Sequence, residues 1–224
     1  MRIRYAALLA AFAVLLVVSV PALAQQGGPP GGGPPGGGPG GRPGGGPPGM
    51  GPQLQLSSTA FADGASLPDK YSCAAGMNNM TSPPLQWSNV PPGTASFVLL
   101  LHDPEPHPRK ALEDVTHWLV YNIPADATSL PEGVKADAPA SVGVQGANVM
   151  GRPAYMGPCA PPGPNHHYTF ELFALDTKLD LPAGATRADV MKAMDGHILG
   201  AALDIALFHR QAGGMMGGPP PARQ

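Results

Sequence analysis

The sequence predicts a mainly antiparallel β protein with one helix near its C-terminal end. Three short aliphatic or aromatic segments favour β-strands, at Ser96–Leu101, His117–Ile123 and Tyr168–Leu175. Each segment is bounded by Pro, Gly or Asp, and the third alternates apolar and polar residues along its length. The fold class therefore follows from short strands separated by turn-forming residues, with a single helical segment beside them.

The predicted helix begins after Thr186, which can act as N-cap with Asp189 three residues later. Its apolar stripe, which we assign to core packing rather than to a ligand site, consists of Val190, Met191 and Met194. Gly196 is expected to end or kink the helix, and Leu203–Phe208 is the last predicted strand.

Residues 1–24 are predicted to be a secretory signal peptide that is cleaved after Ala24. Arg2 and Arg4 give a basic start, and the apolar run Ala6–Val20 follows. The alternative is a retained membrane anchor, but a span needs about 20 apolar residues and this run is shorter. No cysteine stands at the cleavage site, so a lipid anchor is not expected.

Residues 25–52 are predicted to be a disordered Gly/Pro-rich linker. Such a segment buries no apolar area that could offset the entropy lost on ordering, and its glycines do not follow the three-residue repeat of collagen. A spacer is the expected role, and binding of a partner is the alternative. Residues 212–224 have a similar composition and form the predicted tail, so one domain remains at residues 53–211.

The chain has too little net charge to attract nucleic acid. The chain has a formal net charge of -2, and only 12% of its residues are charged. This balance gives no electrostatic attraction for nucleic acid, so no nucleic-acid partner is expected.

The chain contains two cysteines, Cys73 and Cys159. Export to an oxidising compartment would allow them to form a disulfide, and two free buried thiols are the alternative. Closing a loop of this length would remove denatured-state entropy worth about 4 to 5 kcal/mol.

Ionisable side chains are scarce, and they cluster near the ends of the predicted strands. The first cluster is His102–Pro106, the second is His117–Trp118, and the third is Gly151–Gly163 followed by His166–Tyr168. Loops on a rigid β scaffold commonly carry binding residues, so these clusters are the candidate site.

The clusters resemble the phosphatidylethanolamine-binding protein (PEBP) family, in its bacterial Raf-kinase-inhibitor-like branch. The motifs occur in the family's order and are Ser82–Trp87, Asp103–Pro106, His117–Pro124, Gly157–Cys159 and His166–Tyr168. The resemblance covers nearly the whole domain and implies an antiparallel β-sandwich with a small pocket for phosphate-like anions or phospholipid headgroups. It implies that the ligand contacts are Asp103, His117, Gly157, Pro158, His166 and Tyr168.

Some positions depart from the family pattern. The loop that usually reads Asp-Pro-Asp-Ala-Pro is one residue shorter here, because Glu105–Pro106 follows Pro104 directly. Ala160 interrupts the usual Cys-Pro-Pro, and a residue is inserted near positions 78–81. These departures affect the expected rim of the pocket more than its floor.

Elementary chemistry agrees with an anion ligand. Imidazole N–H, phenolic O–H and backbone N–H groups all donate to phosphate oxygens. Asp103 is the exception, since a carboxylate repels a dianion. We therefore expect Asp103 to orient His117, or to accept a proton from a monoanionic phosphate or an ammonium headgroup.

The expected function is a binding protein without catalytic activity, cofactor or resident metal. Partners would be the small anion, a regulated protein and, weakly, a membrane surface. Three alternatives use the same region. One is a hydrolase triad of Asp103, His117 and a serine, although no Gly-x-Ser-x-Gly elbow is present. Another is a zinc site formed by Asp103, His117 and His166. The last is a protease inhibitor that acts through the loop Pro104–Lys110.

Overall fold

The computed structural model describes residues 53–107 and 112–212. The predicted signal peptide and linker lie outside these residues, as does the predicted tail from residue 213 onward. Within the described part of the chain, no helix is long and apolar enough to cross a membrane.

The described residues form nine β-strands and one α-helix in two sheets. The strands are β1 (Gln55–Ser57), β2 (Ala65–Ser66), β3 (Leu85–Ser88), β4 (Ser96–Asp103), β5 (Val115–Pro124), β6 (Ser129–Leu130), β7 (Val144–Gln145), β8 (His166–Leu175) and β9 (Ile198–Phe208). The helix α1 spans Arg187–Met194, and two short 3-10 turns span Asp69–Tyr71 and Cys73–Ala75. The small sheet has the order β1-β3-β6 and the large sheet has the order β2-β9-β8-β4-β5-β7. All pairs are antiparallel except β2 with β9.

The large sheet is covered on both faces, which explains the continuous apolar run of β4. Phe97, Leu99 and Leu101 face the small sheet and join the main core. Val98 and Leu100 point to the opposite face, where they pack with residues of α1. Because side chains alternate along a strand, a central strand buried on two sides needs apolar residues at every position.

The helix covers one part of the outer face. Thr186 Oγ1 accepts a hydrogen bond from Asp189 N, and Asp189 Oδ2 accepts one from Thr186 N, so the predicted N-cap is a full capping box. Val190 and Met194 are buried, as predicted for the apolar stripe. Met191 is 40% exposed, so its assignment to the core was wrong. Val190 and Met194 are four residues apart and share one side of the helix, whereas Met191 is turned away from Val190.

The sequence predicted the main strands, which are all longer in the structure. The predicted strands at Ser96–Leu101, His117–Ile123, Tyr168–Leu175 and Leu203–Phe208 correspond to β4, β5, β8 and β9. Most of the residues beyond the predicted bounds pair with a neighbouring strand, and this pairing extends the strands. Strands β1, β2, β3, β6 and β7 were not predicted, because segments of two to four residues carry too little periodicity.

Candidate functional site

The ends of three neighbouring strands place the predicted ligand contacts at one end of the large sheet. Asp103 closes β4, His117 lies near the start of β5, and His166 and Tyr168 open β8. Antiparallel pairing of His102 with both Thr116 and Thr169 brings these strand ends side by side. Topology therefore groups residues that lie far apart in sequence.

A β-bulge turns His117 toward this end of the inter-sheet core. Leu101 pairs with Trp118 but the next residue, His102, pairs with Thr116, so His117 is an extra residue in β5. In a regular strand, His117 and Trp118 would point to opposite faces. Instead Trp118 is in the main core and the His117 ring packs edge-on against Tyr168, with ring centroids 5.1 Å apart. Bulges often redirect a side chain beside a functional site.

The Asp103 carboxylate is buried and bound to His166. Asp103 Oδ2 lies 2.7 Å from His166 Nδ1, and Asp103 Oδ1 accepts a hydrogen bond from Glu105 N at 3.1 Å. Burial raises the pKa of Asp103, and a hydrogen bond with Glu105 adds to the rise, whereas His166 opposes it. The residue is 2% exposed, so its charge depends on these few neighbours.

Glu105 belongs to the same group of side chains, although it was not among the predicted contacts. Its carboxylate accepts hydrogen bonds from His167 N and from His167 Nδ1, the latter at 2.6 Å. Burial alone would raise the pKa of Glu105, but hydrogen bonds with Asp103 and His167 hold it at about 2. The loop turns at this point because Glu105 N donates to Asp103 Oδ1, which leaves the Glu105 carboxylate in the same group as Asp103 and His166.

His117 is a neutral imidazole with a defined tautomer. Its Nδ1 lies 3.0 Å from the carbonyl oxygen of Met156. A carbonyl can only accept, so Nδ1 carries the proton and Nε2 presents a lone pair. Burial lowers the pKa of His117 to about 4, and the residue is 4% exposed. His117 can therefore accept a hydrogen bond from a ligand near neutral pH, whereas a donor was expected from sequence.

The Tyr168 hydroxyl joins the strands to the loop that carries Cys159. Its oxygen accepts hydrogen bonds from Cys159 N at 3.1 Å and from Ala160 N at 2.9 Å. Burial raises its pKa, and the nearby Asp103 charge raises it further, so the hydroxyl keeps its proton. Its ring is stacked near that of His166 and edge-on to that of His117.

Cys73 and Cys159 form a disulfide, which confirms the predicted pairing. Cys73 N also donates a hydrogen bond to the Pro158 carbonyl at 2.9 Å. The disulfide thus joins the Cys73–Ala75 turn to the loop that contacts Tyr168.

Gly157 and Pro158 are both buried beside this disulfide. A Cβ at Gly157 would lie 2.5 Å from Tyr71 O and 3.0 Å from Ser72 Cα, so glycine is needed for the close approach of two backbones. The structure therefore places these two residues in the loop that supports the site. They form a wall through packing and backbone groups.

The remaining histidines lie elsewhere. His102 is on the opposite face of β4, where it contacts Asp114 and Glu171. His197 pairs with Asp176 on the surface. Among the described residues, no serine hydroxyl forms a hydrogen bond with a histidine, so no Ser–His pair supports the hydrolase triad. The predicted inhibitor loop Pro104–Lys110 lies partly outside the described residues.

The two clefts that the described residues form most clearly lie away from these side chains. Clefts of about 850 Å³ and 680 Å³ lie elsewhere, the first bordered by Trp87 and Leu203 and the second by Asp114 and Arg187. None of the six predicted ligand contacts lines either cleft.

The two-sheet fold and the polar side chains grouped at its strand ends define a class of small β-sandwich proteins. Residues 57–209 match the family model described as phosphatidylethanolamine-binding protein. The chain belongs to this family, as its sequence motifs predicted.

Relatives and solved structures agree with this assignment. A UPF0098 protein of Methanothermobacter thermautotrophicus is 44% identical over 158 residues, which are 70% of this chain and 99% of that protein. The crystal structure of the PEBP homolog CT736 from Chlamydia trachomatis has a TM-score of 0.62 at 36% identity, with coverage of 71% and 99%. That of Escherichia coli YbcL, described as a member of the mammalian PEBP family, has a TM-score of 0.64 at 29% identity, with coverage of 71% and 100%.

One relative carries a lipoprotein name. A Mycobacterium tuberculosis protein named as the lipoprotein LppC is 36% identical over 157 residues, which cover 69% of this chain and 72% of that protein. In this chain, the Cys73–Cys159 disulfide is of the kind that persists in oxidising compartments.

Proposed function

We propose that this chain is an exported binding protein without catalytic activity, and that its recess around Tyr168 holds a small phosphate-bearing ligand such as a phospholipid headgroup. The observation that carries the proposal is the convergence of Asp103, His117 and His166 on Tyr168 at one end of the inter-sheet core. Periplasmic or secreted location after cleavage at Ala24 is part of the proposal.

The hydrogen-bonding capacity of the site favours a ligand that both accepts and donates. Tyr168 has accepted two N–H groups, and its own proton is directed toward Asp103, so a ligand oxygen would compete with that carboxylate for it. His166 uses Nδ1 toward Asp103, so Nε2–H is a second donor when the ring is charged. His117 Nε2 is an acceptor, and it needs a proton from the ligand.

A protonated phosphate monoester fits this pattern better than a dianion. Its P–O–H group can donate to His117, and its other oxygens can accept from Tyr168 and His166. An ammonium group on the same ligand, as in phosphoethanolamine, would be attracted to Glu105. The family name refers to such a headgroup, and this comparison supports the choice.

Calorimetric titration of the purified protein with phosphate, phosphoethanolamine and acetate tests the proposal. We expect phosphate-selective binding that is lost in His117→Ala and in His166→Ala. His197→Ala is the matched control, because that histidine also pairs with an aspartate but lies on the surface away from the site. Binding that persists in both site variants, or no binding to any of the three ligands, would contradict the proposal.

A further inference from the structure

We propose that Asp103, Glu105 and His166 form a binding site for a divalent transition-metal ion such as Zn²⁺. This site goes beyond the headgroup function, and it does not depend on that function. One ligand atom from each of the three residues lies within 4.8 Å of the other two. Two carboxylates and an imidazole are a donor set that zinc accepts.

The distances are compatible with coordination after small movements. Bonds of about 2.0–2.1 Å in a tetrahedral zinc site place neighbouring ligand atoms about 3.3 Å apart. The closest pair here, His166 Nδ1 and Asp103 Oδ2, is 2.7 Å apart and would have to open slightly. Glu105 is the most exposed of the three side chains at 36%, so it has room to shift toward an ion if its bond to His167 Nδ1 opens.

Electrostatics favours a cation at this position. The nearly buried Asp103 carboxylate lies close to that of Glu105, and two such groups repel one another unless a proton or a cation is held between them. Within residues 53–107 and 112–212, every ion-pair partner of these two carboxylates is a histidine. A histidine can give up its proton to bind a metal, whereas a lysine or arginine would occupy the site permanently.

A second acid–histidine cluster in the same sheet provides a contrast. On the opposite face of β4, His102 contacts both Asp114 and Glu171, but Arg187 also pairs with Asp114. A permanent cation therefore already compensates the charge of that cluster. The group at Asp103 has no such partner among the described residues, which singles it out as the metal site.

Supporting contacts hold the ligands in place. Glu105 N donates to Asp103 Oδ1, and the backbone N–H of His167 donates to Glu105. The His166 ring is stacked near the Tyr168 ring, which fixes its plane. Contacts of this kind orient the ligands of metal sites. His117 is not a member of this group, so the proposed site has Glu105 in the place that the zinc alternative inferred from sequence gave to His117.

Titration of chelator-treated full-length protein with Zn²⁺, in buffer without phosphate, tests the site. We expect one ion per chain, and a loss of affinity in Asp103→Asn and in Glu105→Gln of at least the roughly 10- to 100-fold that removal of a supporting contact costs. His197→Ala, which alters a surface His–Asp pair, should bind as the wild type does. Because no phosphate is present, the result is independent of headgroup binding.

Co²⁺ provides a second readout that does not depend on stability. Its visible absorption changes with the ligand set, so Glu105→Gln should alter the spectrum even if some affinity remains. Circular dichroism of each variant shows that the fold is intact. An unchanged affinity and spectrum in Glu105→Gln and Asp103→Asn, or no binding at millimolar Zn²⁺, would overturn the proposal.

Discussion

His166 Nδ1 lies 2.7 Å from Asp103 Oδ2, which pairs two residues 63 positions apart at the end of the inter-sheet core. Asp103 was expected from sequence to orient His117, but the Met156 carbonyl holds that ring instead. The aspartate therefore fixes the ring of His166. Each histidine has a different partner, so His166 is suited to donate a hydrogen bond to a ligand and His117 is suited to accept one.

Substitution Asp103→Asn should weaken binding of phosphoethanolamine about tenfold, which corresponds to about 1.4 kcal/mol. A neutral amide loses the charge-assisted hydrogen bond to the His166 ring, and it attracts no ammonium group. Calorimetry at pH 6 measures the change. Binding by this variant at least as tight as that of the wild type would show that the carboxylate has no such role.

Substitution Tyr168→Phe should destabilise the fold by about 1–3 kcal/mol, because the N–H groups of Cys159 and Ala160 lose their acceptor while they remain buried. Urea unfolding followed by circular dichroism gives the free energy of unfolding. A variant as stable as the wild type would mean that these N–H groups find another acceptor.

His117 should remain neutral, with its proton on Nδ1, from about pH 8 to pH 5. Burial holds its pKa at about 4, below the value of 6.5 for a free histidine. The unfolded chain therefore binds this proton more readily, and the stability that the neutral ring contributes is lost as the pH falls from 6.5 through 4. Nitrogen-15 NMR of the imidazole reports the tautomer and the titration directly.

The corresponding stability measurement uses His117→Gln. Its free energy of unfolding should vary less between pH 7 and pH 5 than that of the wild type. If the imidazole signal of His117 itself titrates near pH 6.5, the argument that burial lowers its pKa is wrong.

Substitution Asp204→Asn should stabilise the protein at pH 7.5 by about 1–2 kcal/mol. Asp204 is 2% exposed on the inter-sheet side of β9, and its Oδ2 has no hydrogen-bond partner among the described residues. Burial and the neighbouring Asp63 raise its pKa to about 6 from 3.8. The native state therefore favours the protonated carboxyl of Asp204. The stability that this protonated form contributes is complete below pH 3.8, and it is lost as the pH rises through 6.

The gain from Asp204→Asn should accordingly vanish near pH 4. Chemical unfolding at the two pH values checks both the sign and the pH window. Asp63→Asn is a useful second variant, because it removes only the charge next to Asp204. It should raise the free energy of unfolding at pH 7.5 by less than Asp204→Asn does. A gain that does not change with pH would point to packing rather than ionisation.

Replacement of both Cys73 and Cys159 by Ser should lower the free energy of unfolding by about 2–5 kcal/mol. The disulfide joins residues 86 positions apart, so its loss enlarges the denatured ensemble. It also holds the loop whose N–H groups bind Tyr168, so headgroup affinity should fall as well. Wild-type protein treated with a reductant should reproduce both effects, and a reductant should leave the double variant unchanged.

The sequence predicted the long strands because burial on two faces requires unbroken apolar runs, as in β4, and one-sided burial gives alternation, as in β8. It also predicted the capping box of α1, because Thr186 and Asp189 are three residues apart and interact locally. The five short strands were not predicted. Pairing with strands distant in sequence stabilises them, and their own composition carries no signal.

The sequence by itself singled out most of the polar groups that the structure brings together, although not Glu105. The order of the motifs identified Asp103, His117, His166 and Tyr168, and two cysteines in an exported chain indicated a disulfide. Only 12% of the residues are charged, so the clustering of these few ionisable groups was visible in the sequence.

Only the tertiary structure decided what each residue does there. A one-residue bulge turns His117 inward, and a distant carbonyl fixes its tautomer. A hydrogen bond from Glu105 N to Asp103 Oδ1 brings these two residues together, and close backbone packing explains why residue 157 is a glycine. Protonation and hydrogen-bond direction depend on burial and on neighbours that are dozens of residues away, and a one-dimensional pattern does not contain those distances.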